Sequence, residues 1–175
     1  SFVVSVMALK IFLLINILII CLFIMISVAY SVKWKPKNKK KYSGDYNKIT
    51  YRSLWERNAF RWMDANTNVV AWNSEEVVIP YICGTDKKMH RYFVDIWFKD
   101  ASGKVYLVEI KPKKETTPPK KPKNRRTKRY INESLTYVKN ASKWKAAESY
   151  AADRGWVFQI WHEDHLDALG IKILK

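Results

Sequence analysis

The sequence predicts an α/β domain, and three observations carry that reading. Segments with apolar residues at helical spacing alternate with short runs rich in β-branched and aromatic residues. Two of those runs are joined by a short loop ending in glycine, Lys99-Asp100-Ala101-Ser102-Gly103, which is a hairpin signal. Hydrophobic residues make up 48% of the 175, enough to build a core and too many for a disordered basic protein. Charge adds a functional hint without selecting a fold. The 32 Lys+Arg outnumber the 16 Asp+Glu, and the net charge of +16 predicts attraction to polyanions, nucleic acid before an anionic membrane surface. Cys21 sits in an apolar run and Cys83 stands alone, which leaves neither a disulfide scaffold nor a cysteine-based zinc site.

Three segments divide the chain: residues 1–32, a basic arm at 33–52, and a domain at 53–175 that contains a basic loop at 112–129. Ile11 to Tyr30 is apolar almost throughout and long enough to span a bilayer. Three readings of it stay open. It is an anchor whose C-terminal side the lysines from Lys33 to Lys41 hold in the cytoplasm, a signal peptide ending near Ser27-Val28-Ala29, or a stretch extraneous to the working protein, since the chain opens on Ser1. The arm is broken by Pro36 and Gly44.

Ser53 to Asp64 reads as a helix with Trp55, Ala59, Trp62 and Met63 on one stripe. Glu75 to Tyr81 reads as a strand, with Pro80 marking an edge or a strand end. Arg91 to Phe98 and Lys104 to Ile110 are the two hairpin strands. Pro and Lys resist both helix and sheet over Pro112 to Arg129. Tyr130 to Arg154 is a long helix capped by Gly155, Trp156 to Trp161 a last strand, and Asp164 to Leu169 a short helix before Gly170.

The hairpin places the chemistry. With a three-residue loop, Asp100 pairs with Lys104, and counting back along both strands sets Asp95 opposite Glu109. Alternation along the strand puts Glu109 and Lys111 on one face. Two carboxylates this close raise each other's pKa unless a cation lies between them, and a hard ion such as Mg²⁺, bound through oxygen, resolves the conflict. A neighbouring lysine stabilises charge on a phosphate in the transition state. Solvated acids on an exposed sheet face are the bland alternative. Against it, Asp95 sits within Phe93-Val94-Asp95-Ile96-Trp97 and Glu109 within Leu107-Val108-Glu109-Ile110, where an unpaired carboxylate is costly. Glu56 shares a helix face with Ala59, Phe60 and Met63, and Ser53-Leu54-Trp55-Glu56 is also a capping box, so cap and ligand both stay open.

Glu56 on the first helix, Asp95 on a strand and Glu109-Ile110-Lys111 together resemble the pattern of the PD-(D/E)XK nuclease superfamily. Within it, YRSLWERNAFRWMD, VVIPY, HRYFVDIWF and VEIKPKKET resemble the head completion nucleases of T-even-like tailed phages and, more loosely, the TnsA endonuclease subunit of a bacterial transposition system. The resemblance runs from about Trp34 to Gly170. It implies a restriction-endonuclease-like core, a central mixed β-sheet flanked by helices. Glu56, Asp95 and Glu109 would be metal ligands and Lys111 the catalytic lysine, with Mg²⁺ as cofactor and Mn²⁺ as a substitute. It also implies a DNA endonuclease of phage head completion, acting before the tail joins. Its partners would be DNA and phage head or neck proteins, in the cytoplasm of the infected host or in the virion. The proline that usually precedes the family's aspartate is Val94 here, and the phage proteins lack the apolar N-terminus.

Lys111 to Arg129 holds ten basic residues against Glu115. Directly after the acids, Lys113, Lys114, Lys120, Lys121, Arg125, Arg126, Lys128 and Arg129 are candidates to grip phosphates, setting affinity and salt sensitivity rather than sequence preference. Lys37 to Lys41 form a second patch. His90 and Arg91 read as strand-end surface residues, His162 and His165 as surface, and Gln159 as a polar residue near the site. Two rival functions remain. One is a non-catalytic DNA-binding structural head protein; the other, resting on the apolar run alone, is a membrane-anchored basic protein that binds anionic lipid.

Overall fold

The computed structural model describes residues 31–173. The apolar run at 11–30 lies outside them, and no described helix is long and apolar enough to cross a membrane. From Val32 onward the chain forms one compact unit.

The basic arm contributes to the core. Its ends meet where β1 (Val32–Lys33) pairs antiparallel with β2 (Thr50–Tyr51). Between them the chain is largely polar, yet Tyr42, Ile49 and Tyr51 are buried. Trp34 stands edge-on to Phe60 and Trp72, with ring centroids 5.8 and 5.6 Å away. Such pairs contribute roughly 0.5–1.5 kcal/mol each beyond the area they bury. The arm also closes the C-terminal end of α1 (Leu54–Ala65). Lys37 and Asn38 donate backbone N–H groups to the Asp64 carboxylate at 2.8 and 3.1 Å, and Lys41 Nζ donates to the Asn66 carbonyl at 2.6 Å. Lys41 is therefore turned inward, away from the exposed patch expected at Lys37 to Lys41.

At the other end of α1, Ser53 Oγ accepts the Glu56 N–H at 3.1 Å, and Ala59, Phe60 and Met63 go into the core. The strand that follows, β3 (Val69–Asn73), has no counterpart in the sequence reading. Next come β4 (Val78–Ile82) and β5 (Met89–Phe93), an antiparallel hairpin separate from the main sheet. The expected strand from Glu75 begins only at Val78, because Glu75 takes a left-handed φ of 58°. In β4, Pro80 lies on a two-stranded ribbon, where each strand has a free edge.

The central sheet has the order β3–β6–β7–β8, with β6 (Ile96–Asp100), β7 (Val105–Ile110) and β8 (Val157–Trp161). It is mixed: β3, β6 and β7 pair antiparallel, and β8 joins β7 in parallel through the crossover helix α2 (Lys128–Ala152). Thr127 caps that helix by accepting the Tyr130 N–H, so the basic loop stops short of Lys128 and Arg129, which lie in the first helical turn. At the far end Gly155, at φ 65°, lets Trp156 N–H reach back to the Ala151 carbonyl at 2.8 Å. The chain closes with α3 (Glu163–Ala168).

Helices cover both faces. Phe60, Met63, Trp72, Ile96 and Leu166 form the core on the α1 and α3 side. On the opposite side Ile79, Tyr92, Leu107, Ala147 and Ala151 pack together, joining the β4–β5 hairpin and α2 to the sheet.

Candidate active site

The β6–β7 hairpin follows the register that the loop predicted. Gly103 takes a left-handed φ of 87°, Asp100 N–H donates to the Lys104 carbonyl at 2.9 Å, and Ile96 faces Val108. One step further back sets Asp95 beside Glu109.

A break that the sequence did not reveal fixes Asp95. Arg91 to Phe98 reads as one strand, but the chain changes partners in its middle, with β5 pairing β4 and β6 pairing β3 and β7. Val94, buried at the junction, donates its N–H to Val77 and accepts from Glu75 N–H. Asp95 follows directly, and its Oδ2 accepts the Ile110 N–H at 2.7 Å, which ties it to the end of β7.

Glu109 is 2% exposed and keeps two partners. Tyr92, buried on β5, donates its hydroxyl to Oε2 at 2.6 Å, and Lys111 Nζ lies 3.3 Å from Oε1. Burial and the nearby Glu109 charge push the Asp95 carboxyl well above the ordinary carboxylate range; Lys111 and the Ile110 N–H only partly offset this. Burial works against the charge on Lys111, but Glu109 and Asp95 outweigh it and hold its pKa above the usual value. The Tyr92 hydroxyl is pushed well up by burial and by the Glu109 and Asp95 charges, so it stays a proton donor.

Glu56 faces the same place from across a cleft. This opening of about 440 Å³ is lined by Ser53, Glu56, Ile110, Lys111, Pro112 and Glu115 among others. Ser53 Oγ caps the helix by accepting the Glu56 N–H, but the reciprocal bond of a capping box is shifted by one residue: Glu56 Oε2 accepts the Arg52 N–H at 2.8 Å, and Oε1 accepts from Ser53 Oγ at 2.9 Å. The structure thus brings Asp95, Glu109 and Lys111 into one cluster and leaves Glu56 at its rim, engaged as a cap. Its charge still adds to the repulsion on Asp95.

The donor set fits a hard divalent cation. Two carboxylates from neighbouring strands converge beside apolar packing, their repulsion is only partly relieved by Lys111, and Asp95 keeps Oδ1 clear of the Ile110 bond.

The basic loop runs outward from this cluster. Lys114, Lys120, Lys121, Arg125, Arg126 and Lys128 are exposed and carry no ion pair among the described residues. Lys113 is paired with Asp164, and Arg129 with Glu133 at 2.8 Å. A groove of about 660 Å³ separates part of the loop, including Lys114 and Lys120, from the first turns of α2. Gln159 points elsewhere. It pairs with Val108 on the face opposite Glu109, and its Oε1 accepts from Trp161 Nε1 at 2.9 Å.

One group went unread in the sequence. Cys83, Asp86 and His90 place a thiol, a carboxylate and an imidazole nitrogen within 4.8 Å of one another at the turn of the β4–β5 hairpin. Its sequence signal is the Cys-x-x-Asp-x-x-x-His spacing, which converges only because the β4–β5 turn folds the three residues together. Glu56, Asp95 and Glu109 do not form so tight a trio among the described residues.

A mixed sheet flanked by helices, with Asp95, Glu109 and Lys111 at the end of its central hairpin, defines a restriction-endonuclease-like fold. Residues 66–163 match the family described as TnsA-like endonuclease N terminal, and the chain belongs to this endonuclease family. The matched span contains Asp95, Glu109 and Lys111 and begins after Glu56. The chain is also 55% identical over 145 residues to the head completion nuclease of Enterobacteria phage T4, across 81% of this chain and 97% of that protein. No solved structure matches it significantly.

Proposed function

We propose that the chain is a Mg²⁺-dependent DNA endonuclease that hydrolyses phosphodiester bonds during phage head completion, before the tail joins. The observation that carries the chemistry is the Asp95–Glu109 pair, two crowded carboxylates with Lys111 3.3 Å from Glu109. Asp95 and Glu109 would hold the ion, with Glu56 at the cleft rim as the third candidate ligand. When bound, the ion supplies charge neutralisation and Lewis acidity at the scissile phosphate.

The remaining work falls to the chain's own groups. Lys111 stays protonated and neutralises the negative charge that builds on the phosphate oxygens. Tyr92 fixes Glu109 by occupying Oε2, which leaves Oε1 directed toward Lys111. The exposed cations of the basic loop hold the DNA backbone through phosphate contacts that carry no sequence information. The biological setting, with DNA and phage head or neck proteins as partners in the infected cell or the virion, rests on the likeness to the T4 head completion nuclease.

Plasmid cleavage with Mg²⁺ or with EDTA, by the wild type and by Lys111→Ala, tests the reading. Metal-dependent nicking by the wild type that the variant lacks is the expected result. Tight DNA binding without cleavage at any metal concentration would overturn it in favour of a structural head protein.

A further inference from the structure

We propose that the turn of the β4–β5 hairpin is a second metal site, one that takes a borderline-soft divalent ion such as Zn²⁺ through Cys83, Asp86 and His90. It differs from the carboxylate cluster in both place and chemistry. The three groups offer one sulfur, one oxygen and one nitrogen, with all three ligating atoms within 4.8 Å of one another. In a tetrahedral zinc centre the ligand atoms stand about 3.5 Å apart, given metal bonds of roughly 2.0–2.3 Å. His90 Nε2 and Asp86 Oδ2 are 2.8 Å apart and all three ligand atoms lie within 4.8 Å, so an ion needs that pair to part slightly and no large movement of the third atom. Cys83 is buried beneath it while Asp86 and His90 are exposed, which leaves the fourth position to water.

The backbone holds the ligands in place. Cys83 N–H donates to the Lys88 carbonyl and Lys87 N–H to the Cys83 carbonyl, both at 2.9 Å, and Lys87 takes a left-handed φ of 59° that folds the turn back on itself. Gly84 anchors the turn to α2 by donating its N–H to Ser142 Oγ at 3.0 Å. It packs so closely that a Cβ there would come within 2.8 Å of Val138. Around the ligands, Thr85 Oγ1 lies 3.1 Å from the Cys83 sulfur, and the His90 ring is 5.8 Å from that of Tyr81. Contacts of this kind orient metal ligands. The ion staples the hairpin that carries Tyr92, two residues from His90.

The test is a cobalt and zinc titration of the full chain, without DNA. Co²⁺ bound through sulfur gives a thiolate-to-metal charge-transfer band that carboxylate sites do not produce. The expected result is one such band per chain, bleached by stoichiometric Zn²⁺, lost in Cys83→Ser and weakened at least tenfold in affinity in His90→Ala. His90 is exposed, so that variant keeps the fold even if the buried Cys83→Ser does not. Zinc should also raise the melting temperature of the wild type and, at the same concentration, shift that of His90→Ala less. No charge-transfer band, or a band of undiminished affinity with an undiminished melting shift in His90→Ala, would overturn the proposal.

Discussion

Asp64 and Glu109 are both acids buried within the same unit, 3% and 2% exposed, and they are solvated in opposite ways. Asp64 accepts two backbone N–H groups from the arm, at Lys37 and Asn38, on a carboxylate that ends a helix turn. Its surroundings are donors, and the arrangement is complete without any further group. Glu109 has one hydroxyl and one lysine, and it faces Asp95, an acid that repels it. Burial alone therefore says little about an acid's role. On the proposed reading, Asp64 is structural because its neighbours satisfy its charge, and Glu109 is a metal ligand because its neighbours leave that charge unresolved.

The sharpest way to break this contrast is to neutralise each acid. Asp95→Asn should reduce plasmid cleavage by on the order of 10³-fold or more, as removal of a central catalytic group does. Its melting temperature in EDTA should hold or rise, because a repulsion has gone. A large loss of stability would make Asp95 structural. Asp64→Ala should do the reverse. Losing the two part-buried charge-assisted bonds from the Lys37 and Asn38 N–H groups costs about 3 kcal/mol, read as a drop in unfolding free energy by denaturant titration. Cleavage per folded molecule should stay at the wild-type level.

Tyr92→Phe sharpens the contrast within the working acid. It keeps the ring against Ala147 and Leu107 and removes only the bond to Glu109. Loss of such an outer partner typically costs about 10–100-fold in metal affinity. The apparent Mg²⁺ requirement for cleavage should rise by that amount, while kcat at saturating Mg²⁺ changes less. An unchanged Mg²⁺ requirement would reduce Tyr92 to packing.

The smallest effect is on pH. The Asp95 pKa is raised in the folded state, so without metal the folded protein binds a proton that the unfolded chain gives up. This favours folding at low pH, and the advantage disappears as pH climbs from the ordinary carboxylate range through the raised value. In EDTA, the stability of wild type relative to Asp95→Asn should therefore fall as pH rises across that window. Saturating Mg²⁺ should flatten the difference. A relative stability that rises with pH would show Asp95 to be a satisfied carboxylate like Asp64.

Much of the site was legible because hairpin register is local. A loop closed by Gly103 and strict alternation were enough to set Asp95 beside Glu109, and Ser53 with Glu56 announced the start of α1. What stayed hidden was everything that depends on which strand pairs with which. Arg91 to Phe98 alternates smoothly, and nothing in a two-residue period marks the switch of partner at Val94. The strand Val69–Asn73 is held by β6 from across the sheet, information that a local window lacks. The arm is basic in composition, yet Tyr42, Ile49 and Tyr51 enter the core, which its lysines conceal in the sequence. Composition averages over a segment, whereas packing selects single side chains.

The measurement closest to the central claim is a calorimetric titration of Mg²⁺ into the DNA-free protein, comparing wild type, Asp95→Asn, Glu109→Gln and Asp64→Asn. The account predicts binding that disappears in Asp95→Asn and Glu109→Gln and survives in Asp64→Asn. An isotherm indifferent to Asp95 and Glu109 would contradict it.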